Sequence, residues 1–489
     1  MSNSALSSKI LKGTFWSGLQ SFINGSFSFT INLLLAKILY PEQFGLIGMA
    51  AVFVSFVQAF NELGVGAALV QKKDSELREA HFHTAFWTGI GWGIIIYLGV
   101  FFIVSPLAAK FYSEPVLEEI IPFLGLGILI SPINLIHNVQ LTKKLDFKKL
   151  ALVSNISNIS SGILALILAY LGFGIWALVF NSVGTYGIAL PFFFMATKWI
   201  PKLIWEKSAF KEIFGFGIYF TGTNIINNFI AKIDYLLIGK LLSASSLGVY
   251  TFAFLLTDTL RSQIMAVMNK VMYPIYGKLQ GDIPQIRKYY LNVVKYNSII
   301  VYPIMGFFLL FGDEFIDMFF GQKWIESSLP LKILSLSVIF HMMVNSNTAL
   351  IRGLGKPALE LKIQLFKSAF LYLPLIFSGT YYYGIIGASL AILLNKIISV
   401  FIAQYFLKRL IGVCMYDLWE SLKTPLLTLF FSCSTVLIIQ GLVDFHFLIL
   451  AALFFLVYFA SVLLLNKSEL MAQLKRLKVS RKKAKTSEI

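Results

Sequence analysis

Apolar runs of about 20 residues follow one another along almost the whole chain, and at a rise of roughly 1.5 Å per residue each can cross a hydrocarbon core of roughly 30 Å. Backbone that sits in lipid has to satisfy its own hydrogen bonds, which leaves helices or closed barrels. The alternating strands of about ten residues that a barrel requires are missing from the sequence, so helices remain. Composition agrees: 57% of residues are hydrophobic, 13% are charged, and the mean hydropathy is +0.77. That is too apolar for a soluble globular chain. The fold expected is an all-α polytopic membrane protein.

About fourteen spans are read, at residues 14–38, 44–70, 85–109, 120–141, 151–171, 175–197, 214–242, 247–276, 289–311, 331–351, 358–379, 384–407, 422–443 and 445–465. With this division, 29 Lys and Arg fall on the side that holds both termini, against Lys37, Lys110, Lys240 and Lys323 on the other. The asymmetry predicts that both termini are cytoplasmic. The net charge of +17 does not imply nucleic-acid binding, because these bases sit in short loops and not on one solvated face. Cys414 and Cys433 make no disulfide framework and have no metal-ligand spacing. The first apolar segment is long enough to remain as a span, so no cleaved signal peptide is expected.

An internal repeat organises the spans. Setting residues 231–250 back by 203 positions aligns Lys240 with Lys37, Leu242 with Leu39, Leu247 with Phe44 and Gly248 with Gly45. Pro122 and Asn138 are echoed by Pro330 and Asn347, and Gly174-Ile175 by Gly384-Ile385 at an offset of 210. Spans one to six and seven to twelve therefore read as two six-helix lobes. Six is even, so the copies run parallel, with a pseudo-twofold axis along the membrane normal. The division is residues 1–210 (first lobe), 211–410 (second lobe), 411–466 (an appended helix pair) and 467–489, a basic cytoplasmic tail with eight basic and two acidic residues. The basic stretch from Lys198 to Lys211 links the lobes.

Charge deep in a bilayer costs roughly 2.5 to 3.5 kcal/mol per group on lenient scales, so it normally faces a cavity or a partner. The deep charges are Lys232 and Asp234 in span seven, Asp258 and Arg261 in span eight, Lys367 in span eleven and Lys396 in span twelve. Lys270 and Lys295 lie nearer the cytoplasmic side; in the first lobe only Glu62 is comparable. These residues, Glu62 apart, are the candidate substrate-binding or cavity positions. Asp258 and Arg261 stand three apart on one helix face, so a purely structural ion pair is the alternative for them. His81 and His83 are expected to be solvated loop residues, and His137, His341 and His446 are scattered. Gly353-Leu-Gly-Lys lacks the spacing of a phosphate-binding loop, and no catalytic triad or paired-carboxylate signature is present. No enzyme activity, metal site or cofactor is expected.

The stretches Leu39-Tyr-Pro-Glu-Gln-Phe-Gly-Leu, Glu62-Leu-Gly-Val-Gly-Ala-Ala-Leu-Val-Gln, Asp234-Tyr-Leu-Leu-Ile-Gly and Leu247-Gly-Val-Tyr resemble the Wzx-type polysaccharide flippases of the multidrug/oligosaccharidyl-lipid/polysaccharide exporter superfamily. The resemblance covers nearly the whole chain. It implies two lobes around a central cavity, alternating access, and a cargo of undecaprenyl-diphosphate-linked oligosaccharide repeat units moved across the bacterial cytoplasmic (inner) membrane for O-antigen, capsule or exopolysaccharide synthesis. Implied partners are the lipid-linked oligosaccharide, membrane lipids, and polysaccharide polymerase and assembly proteins, with no nucleic acid. The coupling ion, sodium or proton, stays open. A cation-coupled multidrug exporter needs intramembrane acids, whereas here deep bases outnumber deep acids four to two. A lipid-linked peptidoglycan-precursor flippase is the nearer alternative.

Overall fold

The computed structural model describes residues 3–61, 64–443 and 445–467, with side chains throughout except at 3–15, 17, 214–227, 229, 266, 267 and 269–271. Regular structure among the described residues is entirely helical. Ten helical stretches are long and apolar enough to cross a membrane. The longest, Pro357–Ile411, has 55 residues, far more than one crossing needs, and is interrupted at Gly384. The chain is a multi-pass membrane protein.

Two compact units are present, Met1–Leu255 with Ile376–Ala388, and Leu256–Leu375 with Ser389–Ile489. The first holds α1 (Asn3–Ile38), α2 (Pro41–Asn61), α3 (Val65–Gln71), α4 (Glu79–Gly99), α5 (Ser105–Tyr112), α6 (Leu117–Lys143), α7 (Phe147–Tyr170), α8 (Ile175–Thr197), α9 (Lys207–Leu241) and α10 (Ala244–Phe254). Short polar residues tie its helices where apolar surface alone gives little drive to associate in lipid. Asn24 donates to Ser154 (2.7 Å) and Asn158 to Ser28 (3.0 Å), joining α1 to α7; Gln58 of α2 donates to Tyr186 of α8 (3.1 Å).

The second unit holds α11 (Leu260–Lys278), α12 (Ile283–Phe320), α13 (Ser328–Met342), α14 (Asn347–Gly353), α15 (Pro357–Lys367), most of α16 (Leu373–Ile411), α17 (Met415–Leu442) and α18 (Phe447–Leu465). Here α12 is central. Its Tyr302 hydroxyl donates to the Ile339 carbonyl of α13 (3.2 Å), and Tyr458 of α18 donates to the Ile299 carbonyl (3.1 Å). The segment expected to be an outer loop after Phe311 is instead ordered: α12 kinks at Phe311, continues to Phe320, and a 3₁₀ turn follows over Gln322–Ser327.

Two findings in the first unit fall at positions that the sequence offset pairs. Gly174 (φ 56°, ψ −125°) and Gly384 (φ 59°, ψ −140°), 210 positions apart, share one backbone conformation that side chains disfavour. The second finding is a reciprocal contact of α2 with α10. A Cβ on Gly45 would overlap the Ala244 carbonyl, and one on Gly248 would overlap the Pro41 carbonyl. Both glycines and both carbonyls are related by the offset of 203.

A methyl group at Gly384 would meet nothing within 4 Å, so any penalty there is backbone strain alone. Gly384→Ala and Gly174→Ala should each cost about 1–3 kcal/mol. The check is the unfolding midpoint of the purified protein in detergent, where an unchanged midpoint for Gly384→Ala would contradict the strained geometry.

Candidate functional site

A polar cluster lies inside the second unit. It starts where α10 passes through a π-helical stretch, Leu255–Thr259, into α11. Insertions of this kind re-aim side chains inside an otherwise regular helix and recur at functional sites. From this stretch Asp258 accepts two hydrogen bonds on one oxygen, from Arg261 Nε (2.8 Å) and Nη2 (2.6 Å). The third guanidinium nitrogen, Nη1, donates to Asn345 Oδ1 (3.0 Å). Asn345 sits in the break separating α13 from α14, where backbone groups leave the regular helical ladder. Arg261 is thus clamped between its own helix and a broken one. Its side chain is 14% exposed and that of Asp258 25%.

His341 stands one helical turn before Asn345, within electrostatic reach of Lys396, Arg261 and Lys367. These cations come from α16, α11 and α15, so elements far apart in sequence converge. Lys367 ends α15, and a second π-helical stretch, Ser368–Tyr372, begins directly after it. Beside Lys396 on α16, Asn395 Oδ1 and Ser399 Oγ are buried without a protein hydrogen-bond partner. Buried polar atoms in this condition are stabilised by water or by a polar ligand. Three cations in reach of one histidine suit an anion.

The other expected site residues make contacts of their own. Asp234 is 4% exposed and accepts from the Tyr250 hydroxyl (2.7 Å) and the Tyr235 backbone N–H (3.0 Å), which pins α9 to α10. Lys232 lies over the Tyr235 ring at 4.5 Å. Both belong to the first unit. Lys295 of α12 lies 6.0 Å from the Tyr296 ring centroid. Lys270 falls in α11, but its side chain is outside the described residues, as are Glu62 and residues 468–489. Glu360, on α15 with Lys367, pairs with Arg352 (3.0 Å).

The histidines of the first loop correct the sequence reading. His81 and His83 are buried, not solvated. The Arg78 backbone N–H donates to His81 Nδ1 (2.9 Å), which leaves the Nε2 proton for Glu212 (3.1 Å). Glu212 also pairs with Lys72, and hydrogen bonds from Lys72 and then His81 hold its carboxyl down to about 2. His83 stacks on Trp199 at 5.1 Å and accepts from the Lys202 N–H (3.1 Å); burial lowers its pKa. Partners 116 to 131 positions away made this burial invisible to local pattern.

A family model described as "Polysaccharide biosynthesis protein" matches residues 34–330, more than half of the chain. The chain belongs to that family of polysaccharide biosynthesis proteins. Among curated relatives, it is 28% identical to the teichuronic acid biosynthesis protein TuaB of Bacillus subtilis over 62% of each chain. Identity to the lipopolysaccharide biosynthesis protein WzxC of Escherichia coli K12 is 23% over 89% of each. Among solved structures, the lipid II flippase MurJ in an inward-closed conformation matches with a TM-score of 0.73 at 16% identity, covering 93% of this chain and 99% of that one. The last likeness shows a shared fold.

Proposed function

We propose that the protein is a transporter, not an enzyme, that moves lipid-linked oligosaccharide repeat units across a bacterial cytoplasmic membrane by alternating access. One observation carries the reading beyond family membership: the buried His341 lies within electrostatic reach of Arg261, Lys367 and Lys396, and Asp258 is paired with Arg261. A diphosphate needs such a site because it cannot cross hydrocarbon unescorted, whereas the attached lipid tail can stay in the bilayer. A cationic multidrug cargo would be repelled by it.

The topology that supports this function has fourteen crossings. Ten stretches qualify by length and apolarity; α1, α9 and the α10–α11 stretch add three, and division at Gly384 adds one. The first twelve form two parallel six-helix lobes, α17 and α18 are appended, and the bias of basic residues puts both termini in the cytoplasm. The polymerase and assembly proteins act on the delivered unit.

The test replaces Lys367 and Lys396, the two lysines of the group. Each Ala variant should lower surface polysaccharide or export of the lipid-linked unit about tenfold at unchanged membrane abundance, the scale of one charge-assisted contact. Glu at either position should abolish export. Normal export in the double Ala variant at normal abundance would remove the cluster from the mechanism.

A further inference from the structure

The segment that joins α8 to α9 carries side chains that water does not favour. Leu203 is 88% exposed, Ile200 74% and Trp205 55%. Scattered apolar side chains are ordinary on a surface, but these are close neighbours on a segment whose backbone is fastened down. The Lys202 N–H is held by His83 Nδ1 (3.1 Å), and its carbonyl accepts from Trp87 Nε1 (2.8 Å). The Glu206 N–H donates to Thr84 Oγ1 (3.0 Å) and Trp205 Nε1 to Thr88 Oγ1 (3.0 Å). Further anchors are Arg78 to Glu206 (3.0 Å) and Trp199 to Glu79 (3.3 Å).

Those anchors also fix the depth of the segment. The helical stretch Glu79–Tyr112 has 34 residues, about 51 Å at 1.5 Å each, and so exceeds a hydrocarbon core of roughly 30 Å by about 10 Å at each end. Thr88 is nine residues into it, about 13 Å along the axis, and His83 about 6 Å. Lys202 to Glu206 therefore run level with the passage from headgroups to acyl chains. Lys198, Lys202, Lys207 and Lys211 flank the apolar side chains and are exposed. Apolar side chains at this depth beside a row of lysines match a leaflet with anionic headgroups.

We infer that residues 198–211 form an interfacial strap, with Ile200, Leu203 and Trp205 set among the acyl chains and the four lysines on anionic phospholipid headgroups. In the orientation proposed above this is the cytoplasmic leaflet. The strap anchors the start of α9 to the membrane plane, while Glu212, held by Lys72 and His81, anchors it to the ends of α3 and α4.

The test attaches a nitroxide at Leu203→Cys in the full chain with Cys414→Ser and Cys433→Ser, reconstituted in phosphatidylcholine vesicles containing phosphatidylglycerol. A label at Glu76→Cys, in the exposed first loop, is the reference. Collision with a water-soluble nickel chelate should be about tenfold lower at 203 than at 76, and collision with oxygen higher. Omitting phosphatidylglycerol should raise the nickel collision at 203 several-fold. Replacing the four lysines with glutamine should reproduce that rise in vesicles that contain it. Equal nickel access at 203 and 76 would place the strap in water and overturn the inference. Low access to both reagents would put protein over Leu203 and overturn it equally. Nickel access that ignores lipid charge would remove the anionic headgroups from it. Depth is read whether or not cargo moves, so these outcomes are separate from failure of the transport reading.

Discussion

Arg261→Ala should lower both the abundance of the protein and its transport, whereas Lys367→Ala lowers transport alone. The difference comes from the clamp. Removing the guanidinium leaves the Asp258 carboxylate, three-quarters buried, without its two charged hydrogen bonds, and leaves Asn345 without its donor. Breaking a pair of this kind from one side costs about 2 kcal/mol, discounted from the cost of a fully buried pair for the remaining solvent access. Removing both charges together, as Asp258→Asn with Arg261→Gln, should restore abundance because no uncompensated charge remains. Transport should stay low in the double variant, since the cation itself is gone. Arg261→Lys should recover part of each, a point charge replacing a planar fork. Full transport in the abundant double variant would make the pair purely structural.

A second large effect is expected at the α2–α10 contact. A methyl group on Gly45 or Gly248 strikes a backbone carbonyl of the facing helix, so no side chain can turn aside and the helices must separate. Overpacking of this kind typically costs 1–3 kcal/mol, and a backbone obstacle on both sides puts each single Ala variant at about 3 kcal/mol. One separation accommodates both methyl groups. Gly45→Ala with Gly248→Ala should therefore be much less than twice as damaging as either alone. Unfolding midpoints and export should fall together in the single variants. Strict additivity in the double variant would show that the two glycines do not share one contact.

What the sequence revealed depends on how strictly each position constrains residue type. Gly45 with Gly248 and Gly174 with Gly384 stood out as paired positions because a close backbone approach and a positive φ both demand glycine. The cations of the cluster were legible because charge among apolar residues is costly in lipid and therefore conspicuous. His341 was missed, although Asn345, Ser346 and Asn347 next to it made a polar group inside an apolar span, the one local sign available. The π-helical stretches at Leu255–Thr259 and Ser368–Tyr372 follow no residue pattern, whereas the i,i+3 spacing of Asp258 and Arg261 was enough to read their pair. Burial of His81 and His83 depends on Glu212, Trp199 and Lys202, which only the fold brings near.

Transport of a lipid-linked diphosphate sugar is measured most directly with the purified protein in vesicles whose inner and outer leaflets both carry the oligosaccharide lipid. A membrane-impermeant glycosidase then reports how much reaches the outside. Protein-containing vesicles should expose the inner pool over minutes, vesicles bearing the Lys367→Glu and Lys396→Glu double variant should not, and free inorganic diphosphate should compete. An inner pool that stays protected in the presence of the abundant, folded wild-type protein under sodium and proton gradients of either sign would contradict the account.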